Sequence, residues 1–142
     1  MSRYSIDIDE TFDVPRNRVF ALFADHVRFG QMLGAPVRRI RKSAGLDPNG
    51  AGSIRHIGVG PLGLKETIMK FEPNSLIEYT ITSMSPIRNH LGRICFEETE
   101  EGRTRVHYTI TFEDILPFSG RAVKTALEYG IRKGIRQIPT LA

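Results

Sequence analysis

Two tyrosines and two histidines sit at strand positions whose neighbours are aliphatic. In "RTRVHYTITFED", Val106, Tyr108, Ile110 and Phe112 alternate against His107, Thr109 and Thr111, which points Tyr108 toward a core. The same parity groups Tyr79 with Ile77 and Ile81. It groups His90 with Ile94 and Phe96, unless Gly92 marks a bulge that shifts the register. In "SIRHIGV", His56 shares a face with Ile54, and Arg55 shares one with Ile57 and Val59, so one of the two should look inward. Glu10 interrupts the apolar face of Ile6, Ile8 and Phe12. These groups are candidates to orient a ligand in a mostly apolar pocket. An inward Tyr and His could also act as an acid–base pair for aldol cyclisation or dehydration. Each residue has a plainer reading. A buried tyrosine packs its ring and finds a local partner for its hydroxyl. A carboxylate such as Glu10 avoids burial by lying at a solvated strand end. His26 and His107 read as exposed.

Other chemistries are poorly served. The four histidines show no metal-ligand spacing, and there is no Gly-x-Ser-x-Gly elbow. "GVGPLG" is glycine-rich but sits in a hairpin rather than between a strand and a helix, so a phosphate loop is not expected. Cys95 lies mid-strand and reads as an inert small hydrophobe. As the only cysteine it excludes an internal disulfide and suits a reducing, cytoplasmic setting. The segment "MSRYSIDIDE" has no hydrophobic signal character. No apolar run approaches the roughly 18–20 residues of a membrane span. No cofactor is implied. The net charge of +4 is mild, and its densest patch is Arg38, Arg39, Arg41 and Lys42. That patch is either the solvated side of a strand or a peripheral contact to a partner or anionic membrane. No nucleic-acid-binding signature accompanies it.

The elements that must position these residues follow from periodicity. The 142 residues, 40% hydrophobic and 25% charged, suit one domain spanning 1–142. "YSIDIDETFDV" alternates as a half-buried strand. Pro15 then opens a helix with Val19, Phe20 and Phe23 on one stripe. "HVRFGQMLG" continues as a second short helix closed by Gly34 and Pro36. From residue 37 to residue 114 the chain reads as strand after strand, with turns at "GLDPNGAG", "GPLG", "PNS" and "TEEG". Short turns imply antiparallel pairing. Beyond "LPFSG" the period changes to that of a helix. Val123, Ala126, Leu127, Gly130, Ile131, Gly134, Ile135 and Ile138 form its apolar stripe. The helix should run about five turns, with Ser119 as N-cap and Pro139 as its end. The fold class is therefore α+β: a curved antiparallel sheet of about seven strands wrapped around one long C-terminal helix, with two short helices after the first strand. A curled sheet around a single helix need not fill its interior, and the remaining space becomes a pocket.

Three stretches resemble the helix-grip fold of the START-related superfamily (SRPBCC), which includes polyketide cyclases and dehydrases, lipid-transfer domains and plant pathogenesis-related allergens. "IDIDETFDVPRNRVFALFAD" resembles the opening strand, proline and helix of that family. "LKETIMKFEPNSLIEYTI" resembles its central hairpin, and "GRTRVHYTITFED" with the following helix resembles its last strand and grip helix. The resemblance spans nearly the whole chain. It implies a hydrophobic cavity between the concave sheet and the long helix. It carries over no catalytic residue, because the family has no universal catalytic motif. Many members place a tryptophan after the first helix; this chain has none, and Phe29 lies near that position.

Two glycines on the long helix mark its working face. Gly130 and Gly134 each cost about 0.8–1 kcal/mol against alanine in a helix interior, and at that spacing they face the same way. Either they let the backbone approach a bulky sheet residue, or they leave room for a ligand beside Tyr129 and Ile131. The candidate ligand-binding set is thus Tyr79, His90, Tyr108, Phe112, Tyr129, Gly130, Ile131 and Gly134. Binding of a hydrophobic small molecule, such as a lipid, quinone or polyketide-like compound, ranks first. A cyclase/dehydrase-type enzyme ranks second, and an adaptor acting through the basic patch third. The ligand's identity and the oligomeric state stay open.

Overall fold

The structure is a computed structural model that describes residues 2–58 and 63–142. Residues 59–62, which hold most of the "GPLG" turn and of "GVGPLG", fall outside the described residues. Seven strands form one antiparallel sheet in the order β1-β7-β6-β5-β4-β3-β2. They are β1 (Arg3–Phe12), β2 (Val37–Arg41), β3 (Ile54–Ile57), β4 (Leu64–Glu72), β5 (Leu76–Ile81), β6 (Ile87–Glu98) and β7 (Thr104–Asp114). From β2 onward strands adjacent in sequence pair antiparallel, β2 with β3 across the long 42–53 connection and the others through shorter turns that help fix register. β1 instead pairs with β7, ten residues against ten, from Arg3 opposite Glu113 to Phe12 opposite Thr104.

β1 and β2 therefore occupy opposite edges, and the chain between them must cross the sheet. Two short helices make that crossing: α1 (Arg16–Ala24) and α2 (His26–Leu33). Asp25 separates them. Its carboxylate accepts from the backbone N–H groups of Val27 and Arg28 and caps α2. Gly34 ends α2 in the left-handed region, at φ 71°. Val19, Phe20, Leu22 and Phe23 of α1 are buried with Ile8, Phe12, Phe96 and Val106 of the sheet. Three aromatic contacts tie this end together, the Phe23 ring lying edge-on to both Phe96 and Tyr108, and Phe20 edge-on to Phe96.

The long helix α3 (Ser119–Ile135) lies across the concave face. Ser119 is its first residue rather than its N-cap. Phe118, at φ 70°, holds the cap position, and the Ser119 hydroxyl turns back to donate to the Leu116 carbonyl at 2.7 Å. Pro139 does not end α3 either. The helix stops at Ile135, and Pro139 falls in the first turn of a short helix, α4 (Ile138–Leu141), where its missing N–H costs nothing. Among the described residues no helix is long and apolar enough to cross a membrane. The four basic residues of the 38–42 patch are exposed on the edge strand and just beyond it, with Arg39 donating to the Asn49 side-chain carbonyl at 2.9 Å.

Candidate functional site

Between α3 and the concave sheet lies a cavity of about 270 Å³. Its walls are mostly aliphatic: Ile57, Ile81, Ile87 and Ile110 from the sheet side, Leu33 from α2, and Val123, Leu127 and Ile131 from α3. Four polar residues interrupt them: Glu66, Tyr79, His90 and Tyr108. All four are buried.

Strand register explains why they meet. Ile68 faces Tyr79 across β4 and β5, and Glu66 faces Ile81, so Glu66 and Tyr79 are diagonal neighbours on one face. Tyr79 faces Gly92 on β6, which in turn lies beside Ile110 on β7. A Cβ at Gly92 would overlap the Tyr79 ring. Its absence lets that ring cross β6 and bring its hydroxyl into hydrogen bonding with the Tyr108 hydroxyl. The register shift in β6 falls between Arg88 and Leu91, with Asn89 at φ 50°. It precedes the stretch that faces β5, so His90 keeps the parity of Gly92 and Ile94 and stays inward.

Behind this group sits Arg55. It is 1% exposed. Its Nε donates to Glu66 Oε1 at 2.9 Å, and its Nη2 lies 2.8 Å from the same oxygen. The guanidinium is held between two rings, 4.2 Å from the Phe29 centroid and 4.6 Å from that of Tyr79. Arg55 and His56 are both buried, so neither half of the ambiguity in "SIRHIGV" is solvated. Arg55 takes the cavity side, and His56 packs beneath Gly63.

Electrostatics set the protonation states. Burial, reinforced by the Arg55 charge, pushes His90 down to about 4, so it is neutral at pH 7. Its Nδ1 accepts from the Ile81 N–H at 3.3 Å, which places the proton on Nε2. Burial raises both tyrosines, so the paired hydroxyls remain protonated. Burial also raises Glu66 above the ordinary carboxylate value, against the opposing pull of Arg55.

Solved structures align with the chain over nearly its whole length. Ara h 8.0201 aligns at 12% identity and TM-score 0.69, covering 98% of this chain and 99% of that one. An uncharacterised protein from Rhizobium leguminosarum aligns at 14% and 0.71, covering 99% and 94%. A Nitrosospira multiformis protein aligns at 13% and 0.69, covering 95% and 96%. The fold is the helix-grip fold. No protein-family model and no curated protein sequence matches the chain. At these identities the likeness speaks for the helix-grip architecture alone.

Within the helix-grip frame, five of the eight candidate residues line the cavity: Tyr79, His90, Tyr108, Gly130 and Ile131. Phe112 does not. It is fully buried toward the far end of β7, stacked on Tyr4 at 5.5 Å between ring centroids. Tyr129 is 69% exposed on the outer side of α3, in a shallow groove with Phe118 and Arg121. Gly134 is buried against α2, where a Cβ would lie 2.7 Å from the Met32 carbonyl oxygen. Glu10 is half-buried away from the cavity, 4.0 Å from Arg132. His26, expected at the surface, is 2% exposed, and neither ring nitrogen has a partner among the described residues. It is the first residue of α2, directly after the Asp25 cap, and is buried on that helix. His107 is paired with Asp7 at 2.9 Å on the convex face. Sequence reasoning missed Glu66, although Leu64, Glu66 and Ile68 share a parity that carried the signal.

The two glycines of α3 therefore answer different needs. Gly134 allows close helix–helix contact, with α2 rather than with the sheet. Gly130 borders the cavity, and an added Cβ there meets nothing within 4 Å. Gly130→Ala is expected to stabilise the protein by about 0.5–1 kcal/mol through helix propensity. Gly134→Ala is expected to destabilise it by about 1–3 kcal/mol through overpacking. Urea denaturation of the two variants checks the opposite signs.

Proposed function

We propose that the protein binds a small apolar molecule carrying a polar oxygen at one end. The observation that carries this reading is the cavity's composition: aliphatic walls, with donors and one carboxylate at the end where Tyr79, His90, Tyr108 and Glu66 gather. Such sparse, convergent polar groups orient a ligand whose affinity comes from apolar burial. The volume, near the lower limit of roughly 300 Å³ for small-molecule sites, suits a mono- or bicyclic ligand better than a two-chain lipid. The single cysteine supports a cytoplasmic setting. Native mass spectrometry of the purified protein, before and after solvent extraction, tests the reading. An added mass that extraction removes and a bicyclic compound restores is the expected result. A protein that neither carries nor takes up any apolar compound would refute it. In the same assay Gly130→Leu should fold normally and take up less ligand, because the leucine projects into the cavity.

The cyclase/dehydrase reading is favoured by one specific feature, the hydroxyl pair of Tyr79 and Tyr108 beside a neutral His90.

A further inference from the structure

Resting on the reading of the cavity as a ligand site, we propose that its polar end removes a proton from the carbon next to a carbonyl. Glu66 is the base, and the Tyr79–Tyr108 pair with His90 holds the resulting enolate oxygen. The substrate class is an apolar cyclic ketone or conjugated enone.

The placement of donors and acceptors leads there. Arg55 engages only Oε1 of Glu66. Among the described residues no protein group hydrogen-bonds Oε2, and Glu66 borders the cavity. One carboxylate oxygen is thus anchored and oriented, and the other is left to accept. Opposite in character are the two donors. The tyrosine hydroxyls share one hydrogen bond between them, which leaves one O–H proton to give. His90 has its Nδ1 filled by the Ile81 N–H, so its Nε2–H is the second donor. Register sets base and donor on either side of Ile81, which pairs with Glu66 on β4 and with the His90 ring on β6. A ketone whose oxygen meets the Tyr and His donors has its neighbouring carbon directed across Ile81 toward Glu66.

The step balances without a co-reactant. The C–H bond breaks and its proton passes to Glu66 Oε2. The electron pair forms the C=C bond, and the carbonyl π pair moves onto oxygen. When the Glu66 carboxyl proton exchanges with solvent before it returns, reprotonation of the same carbon incorporates solvent hydrogen; return to a conjugated carbon moves a double bond. Charge stays constant throughout. Arg55 faces one negative charge, which lies on Glu66 before the transfer and on the enolate after it. The fixed donors are already aimed at the oxygen that gains charge, which is the arrangement that lowers the barrier.

The test uses 2-tetralone in deuterated buffer, with hydrogen–deuterium exchange at the carbons beside its carbonyl followed by NMR and binding followed by saturation transfer. Exchange faster than in buffer alone is expected. Glu66→Gln should slow it about 100-fold or more. Replacing both hydroxyls, Tyr79→Phe with Tyr108→Phe, keeps the rings and so the packing, and should slow it about 100-fold. This double variant keeps the proposal testable should Glu66→Gln unfold. Binding without accelerated exchange, or acceleration unchanged in both variants, overturns the proposal and leaves the cavity a binding site. Failure to bind 2-tetralone also overturns it. If the native mass spectrum then still shows an apolar ligand, the binding reading survives; if it shows none, both fall.

Discussion

Arg55→Ala is expected to cost about 3–5 kcal/mol of folding stability, while the double replacement Arg55→Met with Glu66→Met should cost far less. The asymmetry follows from burial. Both side chains lie inside the protein, with Glu66 Oε1 taking both guanidinium contacts. Removing only the cation strands a carboxylate in an apolar wall, where desolvation already raises it. Removing both groups replaces an ion pair by methylenes of similar volume, an exchange that is often neutral. Urea unfolding of the wild type, Arg55→Met, Glu66→Met and the double variant, at constant m-value, gives the coupling energy directly. A double variant as unstable as Arg55→Ala would mean that the pair matters through its packing rather than through charge. That packing is substantial, since the guanidinium spans the Phe29 and Tyr79 rings. The same pair carries the proposed chemistry, because Arg55 fixes the orientation of Glu66 and leaves its second oxygen free.

Period-two alternation made most of this architecture legible. The long alternating strands, β1 apart from Glu10 and β7 throughout, show the alternation in their burial as the sequence implies. Parity placed Tyr79, His90 and Tyr108 inward because one face of an antiparallel sheet must be apolar, and a polar residue on that face stands out. Parity says nothing of position along the strand, which is why Phe112 shares a face with Tyr108 yet lies beyond the cavity. Glu66 escaped notice for a different reason. Its partner is on another strand, and only the register that sets it opposite Arg55 reveals that a buried charge is neutralised. Helical spacing grouped Gly130 with Gly134 on one stripe. It could not tell which turn faces the cavity and which meets α2, since that depends on where α3 crosses the sheet. His26 was misplaced because a single residue at a helix start has no periodic neighbours to fix its direction.

Acidification should destabilise the protein well above the pH at which ordinary carboxylates titrate. His26 and His90 are both buried, and each is held down to about 4, first by burial and then by the Arg55 charge. In the unfolded chain both return to the ordinary value of about 6.5. Between about 6.5 and 4 the unfolded state therefore binds protons that the folded state refuses, and stability falls as pH falls. At pH 5 the loss is about 2 kcal/mol for each histidine, or about 4 kcal/mol together, relative to pH 7.5. Glu66 acts in the opposite sense. Because its folded value is raised, it takes up a proton more readily folded than unfolded, and so returns part of the loss as pH drops toward the carboxylate range. Asp9, held low by the bond from Arg105, titrates below this window. Urea midpoints at pH 7.5, 6.0 and 5.0 should fall steadily, and His26→Phe should remove about half of the decline. A flat profile would mean that a histidine gains a proton while folded. His26 is where such a proton would be most informative, because its ring is buried and feels the Arg55 charge. A charge there would press against the guanidinium that orients Glu66.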